Sequence, residues 1–328
     1  MVDQSSMTFE SHLHPVQEAM HDFEIEFEKT FDQDIRMIKP ILDYAGHTEG
    51  KRLRPILFFL TQGMIGAPQI RHTVVAVMIE MLHSVSLMHD DVIDEADIRR
   101  GEATMNATWG NKLAVLAGDY LLAKMLSIGI NQGYGDVLKR IADVAVEMGR
   151  GELMQGVLSS HPELTINDYY SIIEKKTAML FGVASELAGR VVDKNQDEMK
   201  ILYQLGLNFG MSFQIKDDIL DLIGTDDVMG KPTGQDLLNG KLNIPIVLAL
   251  SKADEKARHQ LLNMLKQKET IEYKEIQNHL DIEKGIQMAE TAALDYTDKT
   301  KSIVQLFDES PYKTSIISLL QFNLDRVR

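Results

Sequence analysis

Residues 74–94 read VVAVMIEMLHSVSLMHDDVID. Wound as a helix, this stretch is apolar on every side until its last turn, so it predicts a buried helix rather than an amphipathic surface one. It then ends in three carboxylates, Asp90, Asp91 and Asp94. Residues 206–222, GLNFGMSFQIKDDILDL, do the same again and end in Asp217, Asp218 and Asp221. Positions i and i+4 of a helix share a face and i+1 lies about 100° round it. Each Asp-Asp-x-x-Asp therefore gathers its carboxylates at one helix end, within reach of a common ion.

The rest of the chain also reads helical. Met, Leu, Ala, Glu and Lys dominate, all good helix formers. Only eight prolines occur, and Pro40, Pro55, Pro68, Pro162, Pro232, Pro245 and Pro311 stand at breaks. Pro55 suits the first position of a helix ILFFLTQG. Thr165 with Asp168 reads as an N-cap opening a helix over residues 165–188. No alternating run bounded by Asn-Gly or Asp-Gly predicts a hairpin. The most loop-like internal stretch is 224–240, with Gly224, Gly230, Gly234 and Gly240. No linker or composition shift divides the chain, so the expectation is one all-α domain over residues 1–328, with residues 1–8 a disordered N-terminus.

Aspartates usually form a solvated face. Against that, both clusters follow apolar helices and stand near helix C-termini, where the macrodipole disfavours each carboxylate by roughly 0.3–1 kcal/mol. Adjacent like charges add repulsion. Two sites of identical spacing ask for a counter-charge, and oxygen-only ligand sets without His or Cys suit Mg²⁺ bridging to phosphate.

Thirty-four lysines and arginines stand against 49 aspartates and glutamates, a net charge of −15. Such a chain repels nucleic acid and anionic lipid over most of its surface, so an anionic substrate needs bound metal or local cations. Those cations are at hand: Lys51-Arg52-Leu53-Arg54, Arg99-Arg100, Lys175-Lys176, Lys231 and Lys241. His83 stands two helical turns before Asp90, where a satisfied core histidine is as good a reading as a ligand. Zero cysteines exclude a disulfide framework, a thiolate metal site and a Cys nucleophile. The start MVDQSSMTFESHLH lacks a signal-peptide pattern. The apolar stretch 74–88, interrupted by Glu80 and His83, is too short to span a bilayer. A soluble cytoplasmic protein with no transmembrane segment is expected.

In this order, these residues resemble the trans-isoprenyl diphosphate synthases (polyprenyl synthetases). The resemblance rests on Gly50-Lys51-Arg52-Leu53-Arg54-Pro55, on Asp90-Asp91-Val92-Ile93-Asp94 with Arg99-Arg100-Gly101, and on Gly151-Glu152 with Gln155. It continues through Lys176-Thr177, Gln214-Ile215-Lys216-Asp217-Asp218-Ile219-Leu220-Asp221, Gly230-Lys231-Pro232, Gly234-x-Asp236-Leu237 and Gly240-Lys241. It runs from about Phe31 to Leu320 and looks most like the catalytic large subunits of bacterial heptaprenyl-type synthases. It implies an all-α isoprenoid-synthase bundle around a central apolar cavity. It also implies Mg²⁺-dependent head-to-tail condensation of isopentenyl diphosphate with an allylic diphosphate, farnesyl or similar, with loss of pyrophosphate. By that resemblance the six aspartates hold a trinuclear Mg²⁺ cluster, and Arg99, Lys176, Lys231 and Lys241 touch the allylic diphosphate. Lys51, Arg54, His83 and Arg100 bind isopentenyl diphosphate, while Thr177 and Gln214 line the carbocation. A homodimer, or a heteromer with a small regulatory subunit, is implied. Two departures stand out: Glu49 replaces the first glycine of a Gly-Gly-Lys turn, and Asn243 stands where Thr is common.

Short-chain members carry a bulky aromatic four or five residues before the first cluster. Here those positions are Ser86 and Val85, with Leu82 further down. Each buried CH₂ contributes about 0.8 kcal/mol, so an open apolar path favours a long product, of the kind used for quinone side chains, over farnesyl or geranylgeranyl diphosphate. Four rivals fit less of the chain. A terpene cyclase leaves the second aspartate motif unexplained. An HD-type phosphohydrolase, prompted by His89-Asp90, needs more His ligands. A di-iron bundle, prompted by Glu80-x-x-His83, needs a second such pair. A non-catalytic partner subunit has no need of intact aspartates.

Overall fold

The computed structural model describes residues 9–32, 35–46, 50–67, 72–99, 101–158, 165–223, 243–256, 259 and 280–326. Residues 1–8, Arg100, the loop 224–240 with Lys231, and Lys241 lie outside that set.

Helices carry nearly all of the described chain. After a 3-10 segment (Phe9–Val16) come α1 (Gln17–Phe31), α2 (Lys39–Gly46), α3 (Leu53–Met64) and α4 (Thr73–Ile93). Then follow α5 (Met105–Trp109), α6 (Asn111–Asn131), α7 (Gly135–Leu158), α8 (Ile166–Ile173), a π segment (Glu174–Ala178) and α9 (Met179–Arg190). The chain continues with α10 (Gln196–Ile223), α11 (Ile244–Lys252), α12 (Ile282–Val304) and α13 (Pro311–Asp325). The all-α reading holds.

Contacts divide the chain into two units. The first comprises Met1–Ala145, Val183–Tyr203 and Val304–Leu319. In it α4 packs on α1, α3 and α6. Phe23, Phe27 and Phe31, spaced i, i+4, i+8 on α1, form a buried aromatic ladder with ring centroids 5.4 and 4.9 Å apart. Met78, Ile79 and Met81 of α4 are likewise buried, as the all-round apolar pattern requires. The second unit comprises Val146–Gly182, Gln204–Ile303 and Leu320–Arg328. Its core joins Tyr169 and Ile173 to Met211, Ile215 and Ile219 of α10, Val247 of α11, and Ala289 and Ala293 of α12.

Four local readings need correction. A hairpin does exist: Ile98 pairs with Ala103 and Arg99 with Glu102, and Gly101 turns at φ +84°. Two-residue strands are too short to leave an alternating signal. Helix α3 begins at Leu53, so Pro55 sits third, still in the first turn where no backbone N–H is needed. The 165–188 helix opens as expected with a Thr165–Asp168 capping box, but the π segment interrupts it. Finally, α6 rather than 74–88 is long and apolar enough to cross a membrane, with a mean hydropathy of 1.6. One side of it, Ala114, Ala117, Gly118, Leu121, Met125 and Gly129, is buried within the first unit. The other side exposes Leu113, Leu116, Tyr120 and Ile130.

Candidate active site

The first aspartate motif closes α4. Asp90 and Asp94 continue the face of Leu82 and Ser86, while Asp91 continues that of Ser84 and Leu87. Asp91 is buried, and its Oδ1 accepts from Arg99 Nε at 2.6 Å. The hairpin that carries Arg99 is tied back to the end of α4: Ala96 O accepts from the Thr104 hydroxyl at 2.6 Å and from Asn106 Nδ2 at 2.9 Å.

Beside this motif lies a cleft lined by Tyr44, Arg52, Glu80, His83, Leu87, Asp91 and Arg99 among others. Of the residues expected to bind a second diphosphate, His83 lines it, Lys51 is exposed and Arg54 is buried within α3. The basic residue of this stretch that reaches the cleft is Arg52, which sequence reasoning had not singled out. It starts α3 from a left-handed backbone (φ +48°), and its guanidinium lies 4.4 Å from the Phe27 ring centre. It also donates to Glu24 and to Glu80, each at 3.3 Å. Glu80 is 4% exposed, and its Oε2 meets no hydrogen-bond partner among the described residues. Leu82 and Val85 are buried and Ser86 is half-buried, its hydroxyl donating to His83 O at 2.8 Å; none of the three lines this cleft.

The second motif, at the end of α10, is held differently. Asp218 is 5% exposed and accepts from three protein donors. Its Oδ2 accepts from the Tyr169 hydroxyl at 2.6 Å and from Ile244 N at 3.0 Å, while Oδ1 accepts from Gln214 Nε2 at 2.9 Å. Ile244 opens α11, so a carboxylate disfavoured at one helix C-terminus is turned onto the favourable N-terminus of another. Gln214 in turn accepts from the Thr177 hydroxyl at 2.8 Å. Asp217 Oδ1 lies 2.8 Å from Arg326 Nη1, and Asp221 is buried.

Thr177 and Lys176 sit in the π segment, whose wider turn sets them off the ordinary helical register. Lys176 donates to Gln155 at 2.6 Å and pairs with Glu152, both on α7. Glycines make room on both sides. A Cβ on Gly151 would stand 2.9 Å from Lys175 Cβ, and one on Gly210 would stand 2.6 Å from the Ala178 backbone. The Gly151-Glu152 and Gln155 positions thus serve Lys176. Asn243 caps α11, accepting from Ile246 N at 3.4 Å, so an amide meets the need a Thr hydroxyl would.

Residues 35–282 match the polyprenyl synthetase family. The chain belongs to that family. It is a trans-prenyltransferase, a polyprenyl diphosphate synthase of the kind that joins isopentenyl diphosphate to an allylic diphosphate. It is 30% identical to the all-trans-nonaprenyl-diphosphate synthase (geranyl-diphosphate specific) of Rhodobacter capsulatus, covering 90% of each chain. It is 37% identical to heptaprenyl diphosphate synthase component 2 of Bacillus subtilis over 75% of this chain and 72% of that one. Among solved structures, a polyprenyl synthase from Caulobacter crescentus complexed with calcium and isoprenyl diphosphate superposes with a TM-score of 0.90 at 25% identity. That match covers 99% of this chain and all of that one (100%).

The family works with Mg²⁺, and the donor set here suits a hard divalent ion: oxygen ligands only, on partly buried carboxylates at disfavoured helix ends. Among the described residues no three acidic, His or Cys side chains already converge as a metal centre. Asp91, Asp217 and Asp218 are each engaged by donors of the chain, so a metal ion at either motif meets carboxylates that the protein already holds.

Proposed function

We propose that this polyprenyl synthetase makes a long all-trans polyprenyl diphosphate in the cytoplasm, extending a farnesyl or similar primer as one catalytic domain. The observation that carries the reading is the repeated aspartate motif towards the end of two apolar helices, with Asp91, Asp217 and Asp218 each held by donors of the chain. In this reading Asp90, Asp91, Asp94, Asp217, Asp218 and Asp221 hold Mg²⁺, about three ions with substrate bound. Mg²⁺ supplies charge stabilisation for the departing pyrophosphate.

The chain's own groups do the rest. Arg99, Lys176, Lys231 and Lys241 contact the allylic diphosphate. Lys51, Arg54, His83 and Arg100 take isopentenyl diphosphate, with Arg52 and Glu80 shaping the cleft beside His83. The hydroxyl of Thr177 and the amide of Gln214 line the allylic cation, and apolar helices keep water away from it. The last proton leaves with pyrophosphate. Val85 and Ser86 put no aromatic floor under the growing chain, and relatives named as hepta-, octa- and nonaprenyl synthases accord with that. The apolar outer side of α6 is the surface for a second copy of the chain. Two relatives named as component 2 of a heptaprenyl synthase make a small regulatory subunit the alternative.

The test is turnover by the purified chain with farnesyl diphosphate, labelled isopentenyl diphosphate and Mg²⁺, an EDTA control, and products sized by mass spectrometry. A Mg²⁺-dependent ladder ending well beyond geranylgeranyl diphosphate is expected, with Ser86→Phe stopping earlier. A ladder ending at farnesyl or geranylgeranyl diphosphate would make this a short-chain enzyme. Product only after a small subunit is added would make it half of a heteromer. No product under either condition overturns the reading.

A further inference from the structure

Arg326 stands one residue past α13, where a basic side chain would ordinarily be solvated. Instead its side chain is 5% exposed and its guanidinium lies 4.2 Å from the Phe213 ring centre on α10. Nη1 is 2.8 Å from Asp217 Oδ1, Nη2 donates to Phe213 O at 3.3 Å, and Nε donates to Asn323 O at 3.5 Å. Three residues back, Asn323 Nδ2 donates to Ser212 Oγ at 3.2 Å, and Ser212 meets the Thr297 hydroxyl at 2.9 Å. The last turn of α13 is therefore sewn to α10 and α12 by buried polar groups.

The asymmetry of this ion pair is what matters. Asp217 keeps 37% of its side chain exposed, while the arginine is almost wholly buried. An exposed pair contributes little, but a buried guanidinium needs its counter-charge. The C-terminus of α13, which favours a cation, here meets the face of α10 that carries Asp217.

We propose that Arg326 is a resident cation of the second aspartate motif, placed on Asp217. It neutralises Asp217 in the metal-free protein, and a divalent ion binding Asp217 competes with it. Arg326 is thus a positioning residue that sets metal affinity, and metal occupancy is coupled to the last turn of α13. Linkage makes the coupling reciprocal: whatever tightens Arg326 on Asp217 weakens the metal, and the reverse. The inference rests on the reading of Asp217 as a metal ligand.

The test is Mn²⁺ binding to the full chain without substrate, followed by the electron paramagnetic resonance of free Mn²⁺, together with backbone hydrogen exchange of residues 320–326. Arg326→Gln should bind Mn²⁺ about fivefold or more tightly than the wild type, with Arg326→Lys between them, and Asp217→Asn should weaken binding. In the wild type Mn²⁺ should speed exchange in 320–326. Weaker Mn²⁺ binding in Asp217→Asn, with Arg326→Gln unchanged or weaker, overturns the competition and leaves Asp217 a ligand. If neither variant moves Mn²⁺ binding, Asp217 is no ligand and both readings fall. Should Arg326→Gln not fold, exchange in the wild type decides alone: unchanged or slower exchange with Mn²⁺ overturns the proposal.

Discussion

The two aspartate motifs have the same spacing and the same place towards the end of an apolar helix, yet the donors seen on their middle residues differ. At the end of α4, Asp91 is met by a formal charge, Arg99, delivered by a two-residue hairpin. At the end of α10, Asp218 is met by three uncharged donors: a phenol, an amide and the first N–H of α11. One residue earlier, Asp217 meets the guanidinium of Arg326. An ion pair on a short hairpin is exchanged for another partner at lower cost than a buried hydrogen-bond network. The first motif is thus built to rearrange around its middle residue. The second is built to stay still there and to exchange its partner at Asp217.

The largest effect should come from the outer aspartates, where the motifs are alike. Asp90→Ala and Asp217→Ala should each lower turnover by about a thousandfold or more, with far-UV circular dichroism unchanged. Near wild-type rates in either would remove that motif's metal role. The middle aspartates should separate the motifs in stability. Asp218→Ala leaves the Tyr169 hydroxyl and the Ile244 amide without their acceptor, and should cost about 2–4 kcal/mol in urea denaturation. Asp91→Ala loses its pair with the partly exposed Arg99 and should cost less, about 1 kcal/mol. Equal losses would show that the two middle residues do the same job.

The smallest effect lies at the capping box that leads into the π segment. Thr165→Ala should cost about 1 kcal/mol. Hydrogen bonds from the Thr165 side chain and backbone hold the Asp168 carboxyl below its ordinary value. The contribution is therefore complete above the ordinary carboxylate pKa and is lost as pH falls through the lowered one. Wild type and Thr165→Ala should converge in stability in acid. A gap that persists at low pH would place the effect elsewhere.

Much of this was legible in the chain itself. An apolar run on all sides of a helix favours burial, and carboxylates gathered at its end need a cation. Those two facts, applied to residues 74–94 and 206–222, yield an all-helical protein with two acidic centres, and the order of the surrounding motifs yields the family. The Thr165–Asp168 cap was legible because capping is local: donor and acceptor are three residues apart. What escaped was non-local or too short to carry a period. Tyr169 meets Asp218 across 49 residues and Arg326 meets Asp217 from a distant helix end, and neither pairing leaves a trace in spacing. Arg52, beside the expected Lys51 and Arg54, reaches the cleft because its left-handed backbone turns it there. Sequence by itself determined which groups must be buried and which charges must be answered, because burial and repulsion follow from residue type and helical period. Only the tertiary structure decided what answers them, because a partner for a buried charge is chosen by which helix ends the fold brings together.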